Sequence, residues 1–527
     1  MLEWLTLLPI VFPFLAAAIF ARVQPRAQER ARDTLFIFFL LLELILVGIA
    51  GIAGARPARL AEWNAAGFSL TLAVDGVAFL LLILACLVPL ILSSVSAKTD
   101  YDPFIFLFIG ALAWITSAAS AWTIIAGLLA FDAIVYAWRV ARGITRETAE
   151  RDVWIHLTLL LILMAGILIA PRAPEQAAVL ITVTLWGRLG LFPFQGITLM
   201  RGVSARDLWI ARGMSLIAGF VPWLRGDMWS APFSSAWIAG LSVVASVAIL
   251  LRARAEEEPS PVASRLISLG ALQLPVAIAF GGEAGNAIAF GLMFGTLFAL
   301  ALFEIALKWR AENRARAPRA LWLAGLFALA GLPVTPGWLG MTGVYVILWE
   351  EARALLYGIT VTAMLIAQIS LWRFGRALQG MERRALTRRE NVALGLMIAS
   401  YFGFTAIAFL IAPAFEPFNE WIPAALDRVI RTTNAPAVYA ALGIVIASPI
   451  IAWGFARLDW HLPMRADGWV RQAGRGLEFD WLIPPLAGAA WQMGALARRL
   501  LSTGEEHSIL WIILAALWIS IFILIPR

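Results

Sequence analysis

Cysteine is almost missing from this sequence: Cys86 is alone among 527 residues. No disulfide framework and no cysteine-built metal site can form within the chain. Histidine is nearly as scarce, and His156, His461 and His507 lie far apart with no metal-ligand spacing. Charge is thin too. Charged residues make up 14% of the chain against 61% hydrophobic ones, where a soluble domain carries about 25% charge. No glycine-rich phosphate loop precedes a helix, and no nucleophile elbow occurs. The sequence therefore points to no metal and no cofactor held by this chain, and redox cofactors would belong to partner subunits.

What it has instead is apolar length. Mean hydropathy is +0.83, and apolar runs recur from end to end at the length needed to cross hydrocarbon as a helix, about twenty residues. We count about sixteen such spans between residues 3 and 525. The first, "LTLLPIVFPFLAAAIF", has no basic leader and no small-residue cleavage site, so it reads as a retained span. Residues 1–412 read as one transmembrane core and 413–456 as one additional transmembrane helix. Residues 457–505 contain "DWLIPPLAGAAWQMGALARRLL", whose composition suits an amphipathic segment lying along the membrane surface or along neighbouring subunits. Residues 506–527 read as a C-terminal transmembrane helix.

The formal charge of +7 does not point to nucleic acid, because of where the cations fall. Of the 41 Lys and Arg residues, only Arg56, Arg59, Arg172, Arg225, Arg353, Arg428 and Arg431 lie at loops after even-numbered spans. Arg188 is inside a span, Arg527 ends the chain, and the rest sit at loops after odd-numbered spans. That alternation is the positive-inside pattern of an inner-membrane protein. It places both termini outside, with the 139–152, 308–319 and 373–389 loops in the cytoplasm.

Two spans are interrupted. "GLPVTPGWLG" brings Pro333 and Pro336 into the twelfth, and "WGRLGLFPFQG" brings Pro193 into the seventh, where Arg188 also lies. Irregular backbone at membrane depth survives only where protein or a water-filled cavity satisfies the freed carbonyls. Paired broken helices are a recurring sign of an ion path. Ionisable groups inside spans are costly and mark function by default. Arg188 has Asp132 as its nearest anionic candidate by helix order; the bland alternative is a near-surface Asp132 bonded to Tyr136 or Arg139. His156 reads as an interfacial histidine beside Arg151 and Asp152. Glu304 precedes Lys308 by one turn, the favourable order for a helix-end salt bridge. Glu43, deep in the second span, is open between a partner-subunit contact, a neutral carboxyl and a relay group.

Several stretches together resemble one family. "LAGLPVTPGWLGMTGVY", "LWGRLGLFPFQGITLM", "LAVDGVAFLLLIL", "FGTLFALALFEIAL" and "SLIAGFVPWLR" occur in the order found in antiporter-like membrane subunits. These subunits belong to respiratory complex I, related membrane hydrogenases and Mrp cation/proton antiporters, and the resemblance covers roughly residues 1–410. It implies an all-α polytopic fold with two inverted five-helix repeats, a broken helix in each, and a C-terminal lateral segment. It also implies a proton path through charged residues, and most of those positions are altered here. Gly127 stands at the glutamate position of the fifth helix, and Arg188 at the lysine of the seventh. Ile217, Ala299 and Met341 stand at three further charged positions. Arginine stays protonated at any working pH, so Arg188 suits a fixed charge better than a relay.

The sequence thus reads as a degenerate member: a mainly structural membrane-arm subunit among other membrane-arm partners in the lipid bilayer. The alternatives are an autonomous secondary ion transporter and a non-transporting scaffold.

Overall fold

The computed structural model describes residues 2–23, 29–52, 58–63, 68–95, 103–191, 210–229, 231–255, 259–311, 317–351, 353–377, 418–430 and 435–457, with a few isolated positions elsewhere. The expected break at Pro193, the lateral segment at 457–505 and the terminal helix at 506–527 lie outside them.

The chain is helical and apolar. Among the described residues, eight helices are long and apolar enough to cross a membrane, and four shorter apolar helices accompany them. It is a multi-pass membrane protein. Helices α1 (Leu2–Val23) and α2 (Glu29–Ile52) pack on each other, and each leaves an apolar stripe uncovered. Leu8, Val11, Leu15 and Ile19 form the stripe on α1; Phe38, Leu41, Ile45 and Ile49 form it on α2. The spacing of three and four residues is that of one helix face.

The all-α expectation missed a hairpin. Strands β1 (Ala58–Trp63) and β2 (Phe68–Leu72) pair antiparallel, with an irregularity between Arg59 and Ala61. Such five- and six-residue strands between two long apolar runs carry too short an alternation to compete with the helical signal. Thr71 N–H donates to Thr123 Oγ1 at 2.9 Å, and the Ser120 hydroxyl donates to the Ser69 carbonyl at 2.5 Å. These bonds tie β2 to the turn between α4 (Phe104–Thr116) and α5 (Ala121–Ala141). Ser120 also caps α5 by accepting from Thr123 N–H. Before that turn, α3 (Gly76–Val95) starts at Asp75, whose Oδ1 accepts from Ala78 N–H at 2.9 Å.

Two sets of helices follow. The first is α4, α5, α6 (Arg146–Ile169), α7 (Pro174–Arg188) and α8 (Ser215–Leu224), the last entered through a π-helical turn at Ile210–Met214. The second is α9 (Ser235–Ala255), α10 (Pro259–Gly281), α11 (Glu283–Ala311), the broken pair α12 (Ala317–Ala330) and α13 (Trp338–Glu350), and α14 (Ala354–Ala377). Each set has the same closed order of neighbours. Successive helices pack on one another, and the fifth member returns to the first, α8 to α4 and α14 to α9. Helix α11 is the centre of the second set: 94% of its apolar window is buried, against 28–44% for the other long spans.

Within residues 413–456 the structure describes a short helix α15 (Phe418–Ile430) lying on α11 and α13, and the longer α16 (Ala435–Arg457) lying on α14. Arg428 fixes α15 by donating to Glu350 at 2.7 Å and to the Gly281 carbonyl at 2.8 Å. The α5–α6 loop is also shorter than expected. Helix α6 begins at Arg146, so much of that basic run lies on helix ends.

The break at 331–337 consists of a helix stop and two turns. Gly331, at φ +70°, donates to the Ala328 carbonyl and Leu332 N–H donates to that of Phe327. This is a Schellman stop, and its left-handed residue is glycine because a Cβ is disfavoured there. Thr335 N–H then donates to the Leu332 carbonyl at 3.0 Å, and Trp338 N–H to that of Thr335 at 3.1 Å. Pro333 and Pro336 each fill the second position of a four-residue turn, where no N–H is needed and φ is already set. Two residues without a backbone donor thus cost this apolar segment nothing.

Candidate functional site

Helix α7 stops at Arg188, with Gly190 in the left-handed region at φ +64°. A cation at a helix C-terminus faces the negative end of the dipole. The Arg188 side chain, 3% exposed, reaches across to Asp132 on α5, 2% exposed. Nη1 donates to Oδ1 and Nη2 to Oδ2, both at 2.7 Å. Such a fork-on-fork pair is the strongest geometry the two groups can adopt. His156 on α6 adds a third contact, with Nδ1 at 2.8 Å from Asp132 Oδ1 and 3.2 Å from Arg188 Nη1. Three consecutive helices therefore meet at one carboxylate.

A second buried pair lies beside the first. Arg139 on α5 donates to Asp152 on α6. Asp152 precedes His156 by four residues and Arg139 follows Asp132 by seven, which is about 6 and 10 Å along the two helices. The two clusters thus form a ladder in the α5–α6 interface, with Arg139–Asp152 nearer the turn. The sequence offered Arg139 as a topology charge and as an alternative partner for Asp132, not as the partner of Asp152. The interfacial reading of His156 is corrected, because its imidazole turns toward Asp132. The near-surface alternative for Asp132 is corrected as well, since that side chain is enclosed and bound by Arg188.

Neither a protein-family model nor a curated protein sequence matches the chain. Solved structures do. An Mrp complex chain from Dietzia sp. DQ12-45-1b aligns with 99% of this chain and 63% of that one, at TM-score 0.72 and 15% identity. The chain therefore spans less than two thirds of that relative's length. A chain of the archaeal membrane-bound sulfane sulfur reductase aligns over 84% of this chain and 99% of that one, at TM-score 0.64 and 12% identity. A chain of respiratory complex I from Thermus thermophilus aligns over 77% and 98%, at TM-score 0.58 and 18% identity.

The chain shares its fold with chains of these membrane complexes.

Within this shared fold, the positions that the sequence resemblance marks for charge are filled by packing. Ile217, Ala299 and Met341 are fully enclosed among apolar neighbours. Gly127 lies against Trp114 and Ile115, where even a Cβ would come within 2.9 Å of both. Of these positions Arg188 alone carries a charge, and its carboxylate partner Asp132 lies five residues after Gly127.

The other expected residues lie apart from this cluster. Glu304 turns inward on α11 and stands 3.8 Å from Arg212, not at the helix-end bridge to Lys308 that the sequence suggested. Arg212 belongs to the π-helical turn before α8, and Arg265 on α10 is close enough to repel it. Nothing in the sequence singled out Arg212 from other loop cations, because a π turn has no readable signature. Glu43 is 1% exposed on α2. Among the described residues neither of its oxygens has a hydrogen-bond partner, and Cys86 lies nearby on α3. Its burial within this chain turns it away from any surface that a partner subunit could reach. Among the described residues there is no His, Cys, Asp or Glu group that could hold a metal ion. Pro333 and Pro336 sit in the break as described above.

Proposed function

We propose that this chain is a membrane-arm, antiporter-like subunit of a multi-subunit proton-translocating NADH–quinone oxidoreductase or a relative, and that its part there is mainly structural. The observation that carries this reading is the pairing of a retained fold with a filled path. Ile217, Ala299 and Met341 can carry no proton, and Arg188 is held by both oxygens of Asp132. An arginine in that geometry is a fixed charge. The comparable chains belong to respiratory and Mrp complexes, which supports neighbours in the plane of the membrane. The charge alternation of the loops supports an inner-membrane location with both termini outside. Cysteines placed at Arg310 and Arg172 should therefore label from opposite sides, and Cys86, being buried, should add little background.

Two other readings are weaker. An autonomous transporter using Arg188 to bind an anion needs a free guanidinium fork, and Asp132 fills it. A scaffold with no transport role shares the structural part of our reading and differs in its partners. The separating experiment introduces Asp132→Asn into the native complex. A structural subunit loses assembled complex, while the surviving particles keep their protons moved per electron. Full assembly with lost pumping would contradict the structural role.

A further inference from the structure

The break between α12 and α13 has one side packed and one side open. On the packed side, Gly337 meets Gly295 of α11 so closely that a Cβ on Gly295 would fall 2.7 Å from the Gly337 Cα. Thr335, Pro336 and Gly337 are all buried. On the open side, Pro333 and Val334 are exposed, Val334 at 61%. Among the described residues, neither the Val334 N–H nor the Pro333 and Val334 carbonyls has a hydrogen-bond partner. The neighbouring hydroxyl, that of Thr335, is committed to the Leu332 carbonyl at 2.6 Å.

That open side lies at mid-membrane depth. Helix α12 has 14 residues before the break and α13 has 13 after it, so each helix is about 20 Å long. The hydrocarbon is about 30 Å thick, which puts the break near its middle. Lipid tails can neither donate nor accept a hydrogen bond, so unpaired backbone groups are not left facing them. Water is the other cover that could satisfy them, and it suits this side poorly, because the outermost group is an apolar isopropyl. Val334 is also the one non-glycine residue at positive φ among the described residues. A β-branched side chain held there is strained, and such strain gathers at contact and ligand sites.

We propose that the Pro333–Val334 break is a docking point for a transmembrane helix of a neighbouring subunit. That helix sets an apolar face against the Val334 isopropyl group. At the same depth it presents one side-chain hydroxyl or amide to the open backbone groups. Both side-chain types donate and accept, as the Val334 N–H and the two carbonyls require. Serine, threonine, asparagine and glutamine make such bonds between membrane helices. Valine brings a stiff side chain with little rotamer freedom to lose on contact. This rests on the reading of the chain as one subunit of a membrane complex, and it adds the place and chemistry of one contact.

The test puts a photoreactive benzophenone side chain at position 334 of the full chain in its native complex. Irradiation should join the chain to one other subunit, and the linked peptide should lie in a transmembrane helix carrying a hydroxyl or amide residue. Capture of lipid alone, of the same chain alone or of nothing overturns the proposal. Val334→Trp keeps the idea testable if the probe blocks assembly. It should leave the unfolding midpoint of the detergent-purified chain in place while cutting the assembled share several-fold, and assembly at the wild-type level overturns the contact. Val334→Cys should resist a water-soluble maleimide in native membranes, with little background from the buried Cys86; labelling there would mean that water, not a helix, covers the break. Sizing the same extract separates the two readings. A lone chain contradicts both the subunit role and the contact, whereas an assembled chain that captures no other subunit contradicts the contact alone.

Discussion

Arg225 and Asp75, 150 positions apart in sequence, form one ion pair that closes the end of the first helix set. Arg225 terminates α8 and also donates to the Thr116 carbonyl at 2.9 Å, at the end of α4. Asp75 meanwhile caps α3 through Ala78 N–H. Three helix ends thus depend on one carboxylate and one guanidinium. Asp75→Asn keeps the cap and weakens the charge pairing. Asp75→Ala loses both, and the cap alone is worth about 0.5–2 kcal/mol. We expect thermal unfolding in detergent to rank wild type above Asn and Asn above Ala, with Asn closer to wild type.

Asp132 and Arg188 should behave as a buried pair. Removing one partner leaves the other charge uncompensated, at about 3–5 kcal/mol in comparable pairs. Asp132→Asn and Arg188→Leu should each lower folded yield sharply. The double variant Asp132→Leu/Arg188→Leu should be milder than either, since no unpaired charge remains. Equal loss in all three, measured as monodisperse protein per cell mass, would show that the pair is not coupled.

Gly219 on α8 lies against the end of α7. A Cβ there would fall 2.5 Å from the Arg188 carbonyl oxygen. Helix propensity favours alanine over glycine by about 1 kcal/mol, but the obstacle is backbone and cannot swing aside. Overpacking of this kind costs about 1–3 kcal/mol, so the clash wins. Gly219→Ala should lower the melting temperature, where a Gly→Ala change at an open helical site raises it.

Val334 in the break has φ +68° and is 61% exposed. A β-branched residue pays about 1–2 kcal/mol in that region. Glycine removes that strain and gives back part of the gain through a looser unfolded chain. Val334→Gly should therefore raise stability by about 0.5–1 kcal/mol, read as a higher unfolding midpoint. A fall would mean that the turn needs its side chain.

The sequence made the membrane architecture legible because twenty-residue apolar runs and loop charges are additive signals. It also named Asp132 as the nearest anionic candidate for Arg188, beside a near-surface alternative, since a cation inside an apolar span has few anions to choose from. It listed His156 among the ionisable candidates but leaned toward an interfacial setting, because Arg151 and Asp152 lie one turn away. Only the α5–α6 register turns the ring inward. Arg139 read as a loop charge or a partner for Asp132, and its pairing with Asp152 came only from α6 starting at Arg146 and bringing Asp152 alongside. The hairpin at 58–72 and the short helix α15 were invisible for the same reason. Each is stabilised by tertiary bonds, Thr71 to Thr123 in one case and Arg428 to Glu350 in the other, and not by a local pattern.

The most direct test of the account is the state in which the chain leaves its native membrane. An affinity-tagged chain, extracted in mild detergent and sized, should elute as a large assembly whose other components include redox-carrying and membrane-arm subunits. A monodisperse single chain that moves ions when reconstituted alone into liposomes would contradict the account.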